Sequence, residues 1–540
     1  MTLADRIGSI FPEENNIPDR FNISPLGQTD YLVAGEIRRW DGPSIEVKSP
    51  VCLGNGQGAS PRTLGSFPAL GVKQAEEALE AAVKAYGHGR GAWPVMTVEK
   101  RIEHVLAFAH AMKTKREEVV NLLMWEIGKN LKDSQKEFDR TVEYIIDTAE
   151  SLKELDRAGS RFESEQGVTA QIRRAPLGVT LCMGPYNYPL NETFATLIPA
   201  LIMGNTTIFK PAKHGVLLLR PLMQAFAENF PPGVVNTLYG DGATIIGPLM
   251  ESGKVDCLAF IGSSGVADTL KKQHPNPHRL RSVLGLGAKN PAIILPDADL
   301  ELAVAECVSG ALSFNGQRCT AIKMIFVHDS VAERFVELFA EKVEGLGFGM
   351  PWDDGVMITP LPVPGKPEYL AKWVDEAAKA GSRIVNQLGG TVNGTYLHPA
   401  VVYPAVRGTA IYTKEQFGPI VPIATYSDVS KPVRYIEHSP YGQQAALFGS
   451  DPKTLAGLID PLVNQVCRVN INSQCQRGPD VFPFTGRKGS AEGTLSVSDA
   501  LRVFSIRTLV AAKETEANKE ILSAIVRKGY SNFLSTDYLF

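Results

Sequence analysis

The 540-residue sequence lacks a charge surplus and the spacing typical of a metal site or a disulfide framework. Its formal net charge is −3, so the basic face that a nucleic-acid partner requires is not expected. Its seven cysteines form no Cys-x-x-Cys pair, and its nine histidines form no His-Glu-x-x-His motif. We therefore expect neither a disulfide framework nor a bound metal.

Long apolar runs are also missing. No stretch reaches the roughly 18 apolar residues that would predict a membrane span. The opening MTLADRIGSIFPEENN has neither the basic start nor the apolar block of a signal peptide. We therefore expect a cytoplasmic protein with no membrane partner. A chain of 540 residues is too long for one compact core, which favours two or three domains.

Strand-like and helix-like segments alternate through the middle of the chain. GVTLCMG, TTIFK and DCLAFIG predict buried strands, and segments such as PLNETFATLIPALIMG predict the helices between them. This alternation predicts a doubly wound α/β fold, in which ligands bind beyond the carboxyl ends of the parallel strands. A second α/β unit begins near Asn290. A hairpin around Gln166 and Gly167, an edge strand in LRVFSIRTLVA and a short helix in the tail complete the prediction.

One cysteine differs from the others in its surroundings. Cys319 lies in the loop segment SFNGQRCTA, directly after Arg318, and a neighbouring arginine helps to hold a thiolate, the reactive form of cysteine. Cys307, in contrast, is in helical register with apolar residues, which indicates packing. On these local features alone, Cys319 is either a nucleophile or one more buried thiol.

Three strand ends carry groups suited to a reaction. Asn187 lies between two prolines, where its amide can donate to an oxyanion; a turn asparagine in a rigid bend is the alternative. Lys210 ends the segment TTIFK and is well placed for a cofactor phosphate or ribose. Gly262 and Ser263 precede a helix start, where free N–H groups suit a pyrophosphate.

Together, seven segments resemble the aldehyde dehydrogenase superfamily from about residue 60 to 510. In chain order they are PYNYP, FKPA, FIGSSG, LGLGAKNP, GQRCTA, KEQFGP and SPYG. The resemblance implies that Cys319 attacks an aldehyde, that Asn187 holds the oxyanion, and that hydride transfer to a nicotinamide leaves a thioester. It implies the following cofactor contacts: Lys210 and Glu415 at the riboses, Phe417 at the nicotinamide, and Gly262 and Ser263 at the pyrophosphate.

The resemblance also implies a Rossmann-type cofactor domain, an α/β catalytic domain and a small β oligomerisation arm. The expected boundaries are 1–158 and 176–288 for the NAD(P)-binding domain, 289–496 for the catalytic domain, 159–175 and 497–512 for the arm, and 513–540 for the tail. The arm has strand edges that a monomer would have to cover, so we expect a homo-oligomer, either a dimer or a homotetramer.

Within the superfamily, the details are most similar to the non-phosphorylating glyceraldehyde-3-phosphate dehydrogenases. Those enzymes bind the substrate phosphate with arginines and a tyrosine, and the matching residues here are Arg140, Tyr188, Arg318 and Arg477. A dianionic phosphate needs several charge-assisted donors at once, so we expect a phosphorylated aldehyde. A non-phosphorylated aldehyde or an acidic semialdehyde is the alternative, with Arg140 solvated and Arg477 in an exposed turn.

Lys213 indicates the cofactor. Many members of the superfamily have an acid three residues after the strand-end lysine, where it binds the ribose hydroxyls, whereas this chain has Lys213. A lysine there suits a 2′-phosphate and predicts NADP, with NAD as the second possibility and a solvent-facing lysine as the alternative reading.

Gly285 is the one clear departure from the superfamily's sequence pattern. The superfamily pattern Leu-Glu-Leu-Gly-Gly-Lys reads LGLGAK here, with Gly285 in place of the glutamate that activates water for thioester hydrolysis. General-base assistance contributes about 10² to 10⁴ in rate. Three outcomes stay open: a base from elsewhere in the fold, transfer of the acyl group to another acceptor such as a thiol, or an impaired scaffold. With the first half-reaction intact, we expect deacylation to be slow.

Overall fold

The computed structural model describes residues 1–54 and 58–536. Two large, mostly parallel sheets form its body. The first sheet has six strands, and only its last strand is antiparallel to its neighbour. In spatial order they are Val235–Thr237, Thr206–Lys210, Val179–Met183, Cys257–Ile261, Arg281–Gly285 and Ala491–Glu492.

The second sheet has seven strands, and the earliest of them in the chain, Asn290–Ile294, follows directly after the LGLGAK segment. Only the edge strand Arg383–Ile384 is antiparallel to its neighbour. In spatial order the strands are Arg383–Ile384, Ala400–Tyr403, Ile420–Tyr426, Ile322–His328, Asn290–Ile294, Gln444–Phe448 and Arg468–Ile471. Central strands such as Val179–Met183 and Asn290–Ile294 are buried along their whole length, because helices cover both faces of a parallel sheet. The predicted doubly wound α/β fold is confirmed.

Helices surround both sheets. Around the first sheet they are Val72–Tyr86, Val98–Lys113, Arg116–Ile127, Leu131–Gly159, Asn191–Ile202, Met223–Asn229, Gly242–Glu251, Ser264–Gln273 and Val497–Val503. Around the second sheet they are Leu300–Leu312, Ala332–Glu344, Lys366–Lys379, Ala410–Thr413, Ser430–His438 and Pro452–Leu462. Helices Leu3–Gly8 and Glu516–Arg527 lie near the two ends of the chain. No helix in the described ranges combines the length and apolar character needed to cross a membrane.

The predicted hairpin arm is present. Phe162–Glu165 and Val168–Pro176 are antiparallel, and both turn residues between them, Gln166 and Gly167, have positive φ angles of 51° and 76°. Ser505–Lys513, from the LRVFSIRTLVA segment, pairs with Val168–Pro176 along its whole length and forms the outer edge of this three-stranded sheet.

The remaining strands are short or belong to the N-terminal region. There, Leu26–Gly27, Ala59–Pro68 and Ser44–Gly54 form one sheet, and Asp30–Val33 pairs with Glu36–Arg39. The small pairs are Gly347–Phe348 with Val356–Ile358, Val392–Asn393 with Tyr396–Leu397, and Tyr441–Gly442 with Arg487–Lys488.

The first sheet determines where its strand ends meet. Met183 pairs with Lys210, and Ile261 pairs with Gly285, so the carboxyl ends of these four strands lie at one edge. The motif segments that follow these strands are therefore brought together, at the edge where ligands bind in open α/β sheets.

Candidate active site

A cavity of about 1330 Å³ lies between the two sheets. Eleven of the twelve site residues predicted from sequence line it: Arg140, Asn187, Tyr188, Lys213, Gly262, Ser263, Arg318, Cys319, Glu415, Phe417 and Arg477. The twelfth, Lys210, ends the strand beside Met183, which immediately precedes the lining residue Gly184. The cavity thus combines the predicted nucleophile, cofactor and substrate residues in one space.

Cys319 lies at a sharp bend between helix Leu300–Leu312 and strand Ile322–His328. The bend includes Phe314 and Asn315, both with positive φ. Cys319 as a whole residue is partly exposed, whereas Cys307 is buried as predicted. Burial, followed by the negative charge of Glu192, raises the pKa of the Cys319 thiol above its usual value.

Arg318 does not have the effect on Cys319 that its sequence position suggested. Its guanidinium Nη2 donates to the backbone carbonyls of Ser309 and Gly310 at 3.3 and 2.7 Å. The pKa of the thiol is raised rather than lowered, because the arginine is held by the end of the preceding helix and burial dominates.

Asn187 is buried and its amide faces the cysteine loop. Nδ2 of Asn187 donates to the carbonyl of Gln317 at 2.8 Å, two residues before Cys319. This places a side-chain amide donor beside the nucleophile, as the oxyanion role requires. The role itself stays a prediction.

A buried ion pair, which was not predicted from the sequence, holds the Asn187 loop. Lys129 is fully buried, pairs with Glu137, and donates to the carbonyl of Asn187 at 2.8 Å. Glu137 also accepts from the backbone N–H groups of Leu190 and Asn191 at 3.1 and 3.2 Å. Burial lowers the pKa of Lys129, and Glu137 opposes that shift.

The carboxyl ends of the first sheet fit the phosphate part of a dinucleotide. Ser263 is the N-cap residue of helix Ser264–Gln273, and no side chain caps that end. The N–H groups of its first turn, which have no partners within the helix, therefore face the cavity edge next to Gly262. Burial lowers the pKa of Lys210 to about 8, and the charge of Asp241 partly opposes this. Lys213 is exposed.

Glu415 and Phe417, for which the resemblance predicts contacts with a ribose and the nicotinamide, also line the cavity. Glu415 pairs with buried Lys323 and accepts from the N–H of Ala288 at 3.2 Å. Nζ of Lys323 also donates to the carbonyl of Cys319 at 3.3 Å and lies 5.3 Å from the ring centre of Phe417. Lys323, which the sequence reading missed, thus links the nucleophile's backbone to the predicted ribose ligand.

The predicted phosphate-binding residues line the same cavity, and two of them, Arg140 and Arg477, have carboxylate partners. Arg140 forms a bidentate pair with Asp480 at 2.7 and 2.6 Å. Arg477 is buried, pairs with Glu192, and approaches Asp480 at 3.1 Å. The alternative of an exposed turn for Arg477 is therefore wrong, because these two carboxylates hold it inside the protein.

Tyr188 lies over the buried ammonium of Lys129, whose Nζ is 3.5 Å from the ring centre. Burial raises the pKa of the Tyr188 phenol, so its hydroxyl remains a neutral donor at neutral pH.

Gly285 also lines the cavity, at the end of strand Arg281–Gly285. In residues 1–54 and 58–536, no three His, Cys, Asp or Glu side chains are grouped so as to hold a metal ion.

Residues 56–510 match the model of the aldehyde dehydrogenase family. The chain belongs to this family. It is 32% identical to the NADP-dependent glyceraldehyde-3-phosphate dehydrogenase of Streptococcus equinus, over 85% of this chain and 94% of that protein. It is 30% identical to the 3-sulfolactaldehyde dehydrogenase of Priestia aryabhattai, over 73% of this chain and 82% of that protein. The family predicted from the motifs is thus confirmed, and with it the prediction of an enzyme.

A solved structure agrees with this membership. The NADP-dependent glyceraldehyde-3-phosphate dehydrogenase from Bacillus halodurans C-125, complexed with NADP, superposes with a TM-score of 0.82 at 30% identity. The match covers 91% of this chain and all of that one. The aldehyde dehydrogenase fold is therefore shared over nearly the whole molecule.

Proposed function

We propose that the enzyme oxidises a small phosphorylated aldehyde, of the glyceraldehyde 3-phosphate class, to its carboxylic acid with NADP. Aldehyde oxidation with NADP follows from the family and from its NADP-dependent relatives, which also confirm the predicted cofactor. The phosphorylated substrate and the covalent route through Cys319 are the proposal.

The observation that carries the proposal is the arginine cluster beside Cys319. Arg140, Arg318, Arg477 and Tyr188 all line the cavity that contains the thiol. Nε of Arg318 is buried, and no group in the described part of the chain accepts its hydrogen bond. A buried donor without a partner is costly unless a ligand satisfies it, and a phosphate oxygen would do so with a charge-assisted bond.

The residues suggest the following chemistry. Sγ of Cys319 attacks the aldehyde carbon, and the amide of Asn187 donates to the oxygen that becomes negative. Bound NADP supplies the hydride acceptor. The acyl group then remains on Cys319 as a thioester, which water hydrolyses to the acid and the free thiol. If a small thiol rather than water takes the acyl group, the product is a new thioester, which chromatography of the products distinguishes from the acid.

Steady-state kinetics test the substrate class. We expect kcat/KM for glyceraldehyde 3-phosphate to exceed that for glyceraldehyde by on the order of 10² to 10⁴, since bonds to charged groups contribute about 1.5–3 kcal/mol each. Arg318→Met should remove most of this preference while leaving kcat/KM for glyceraldehyde nearly unchanged. Equal values for the two aldehydes in the wild-type enzyme would contradict a phosphate site.

A monoanionic aldehyde is the second candidate, and the ion pairs favour it. The site has three arginines, and two of them, Arg140 and Arg477, are paired with the carboxylates Asp480 and Glu192. Together these five side chains carry one net positive charge. A sulfonate or carboxylate matches that charge better than a dianion does, and one relative is named for 3-sulfolactaldehyde. Higher kcat/KM for 3-sulfolactaldehyde or succinic semialdehyde than for glyceraldehyde 3-phosphate would favour this candidate.

We also propose that the protein is a cytoplasmic homo-oligomer. The described cysteines are all free thiols, as a reducing compartment keeps them. Strand Ser505–Lys513 leaves its outer edge without a partner among the described residues, and Ile506 and Leu509 on it are exposed. Such edges favour pairing with a second chain. Light scattering at micromolar concentration should give a dimer or tetramer mass, and a monomer mass would contradict the proposal.

A further inference from the structure

Glu192 is a buried carboxylate beside the nucleophile to which the predicted roles assign no function. It lies in the first turn of helix Asn191–Ile202, and its backbone N–H donates to the carbonyl of Tyr188 at 3.1 Å. The amide of Asn187 in the same loop bonds to the backbone of Gln317, two residues before Cys319. Segments 187–192 and 317–319 are therefore held side by side, and both Glu192 and Cys319 face the cavity.

Two carboxylates of the cavity, Glu192 and Glu415, lie near the Cys319 thiol. Both Glu192 and Glu415 raise the pKa of the thiol, and Glu192 has the larger effect. Glu415 is held by Lys323 and the N–H of Ala288, and it lies on the cofactor side. Glu192 lies on the substrate side, where its partner is Arg477.

The other buried carboxylates of the cavity are also held by partners. Glu137 is paired with Lys129 and accepts two backbone N–H groups. Asp480 receives both donors of the Arg140 fork. The carboxylate of Glu192, in contrast, has a single partner in the described part of the chain, Arg477. A water molecule beside the acyl carbon would therefore meet Glu192 as the least occupied of these carboxylates.

We propose that Glu192 is the general base that activates water for hydrolysis of the Cys319 thioester, in place of a carboxylate at position 285. This rests on the proposed thioester route. In this step the carboxylate takes a proton from water as the water oxygen bonds to the acyl carbon. The C–S bond then breaks, the acid leaves, and Glu192 passes the proton that it took from water to the thiolate of Cys319, which restores both groups. No oxidant is needed, because the hydride has already left.

The ion pair with Arg477 has two opposite effects on this role. The guanidinium holds the carboxylate in place through Oε1, but it also occupies part of the group that must accept the proton from water. The contribution of Glu192 should therefore lie near the lower end of the usual range for general bases, about 10²-fold. An anionic substrate group bound by Arg477 would compete for the guanidinium and free the carboxylate of Glu192 to contact the water.

Rapid mixing of the enzyme with NADP and aldehyde tests the assignment in the Glu192→Gln variant. We expect a burst of one NADPH per subunit, followed by turnover about 10²-fold slower than in the wild-type enzyme. Mass spectrometry of the quenched variant should show the acyl adduct on Cys319. The matched control is Glu143→Gln, which removes an exposed carboxylate of the same cavity and should behave as the wild type.

Three results would overturn the assignment. Wild-type turnover in Glu192→Gln would mean that another group activates the water. Loss of the burst itself, in a variant that still binds NADP and keeps its melting temperature, would place Glu192 before hydride transfer. A lower KM for the anionic aldehyde at unchanged kcat would mean that Glu192 only shields Arg477. The wild-type enzyme and the variants are compared with an aldehyde that the wild-type enzyme turns over. If that aldehyde is not phosphorylated, the proposed substrate class is contradicted, while the role of Glu192 is still tested.

Discussion

Binding of NADP should weaken as the pH rises through about 8, because Lys210 loses its charge there. Burial lowers the pKa of this lysine from its usual 10.5 to about 8. The family resemblance assigns Lys210 to the cofactor, and a nearby anionic cofactor favours the charged ammonium. Binding should therefore raise the pKa of Lys210 back towards its usual value and, above pH 8, should take up a proton.

The size of the effect follows from the two pKa values. Below pH 8 Lys210 is already charged in the free enzyme, so the full attraction is present. Above that pH, part of the binding energy is used to protonate the lysine, at about 1.4 kcal/mol per pH unit. With a free-enzyme pKa of about 8, the affinity for NADP should fall about 20-fold between pH 7.5 and 9.5.

Fluorescence titration of NADP binding across this pH range measures the effect without turnover. Lys210→Arg is the matched control, because a guanidinium stays charged and its affinity should change little over the range. Lys210→Met should bind more weakly at pH 7.5 and also show little pH dependence. A wild-type dissociation constant that is flat from pH 7.5 to 9.5, or a Lys210→Met variant with the wild-type slope, would refute the reasoning.

Three further changes give separate outcomes. Cys319→Ala should abolish NADPH formation while NADP binding in a titration stays near normal; retained turnover would mean that another group is the nucleophile. Lys129→Met leaves Glu137 buried without its cation, which should lower the free energy of unfolding by about 3–5 kcal/mol in urea titrations; an unchanged midpoint would show that the pair contributes little. Gly285→Glu should speed deacylation, seen as a smaller NADPH burst relative to steady turnover. A Cβ at this position would meet Ile261 Cγ1 at 3.3 Å, so a small shift accommodates it, and an unchanged burst would argue against a deacylation bottleneck.

Much of the fold was predictable from local patterns. Apolar runs such as TTIFK became buried strands, here Thr206–Lys210, because a short apolar run between turn residues has few other stable states in a parallel sheet. The loop position of Cys319 and the polar groups at strand ends could also be predicted, because both depend only on which residues follow a helix or strand in the sequence. The parallel arrangement then brings the carboxyl ends of the strands to one edge.

The charges that surround Cys319 were decided by tertiary structure alone. Arg140 and Asp480 are 340 positions apart, and Asn187 and Gln317 are 130 apart. Arg477 could be read from sequence as an exposed turn residue, yet in the fold it is buried against Glu192.

The physical reason is that periodicity records which face of a helix or strand is apolar, and it carries no information about which distant charge a buried side chain meets. Glu192 illustrates both what the sequence determines and what it does not. Its place in a helix after a strand end follows from the sequence. Its proximity to the thiol and its pairing with Arg477 arise only when the two sheets pack around one cavity.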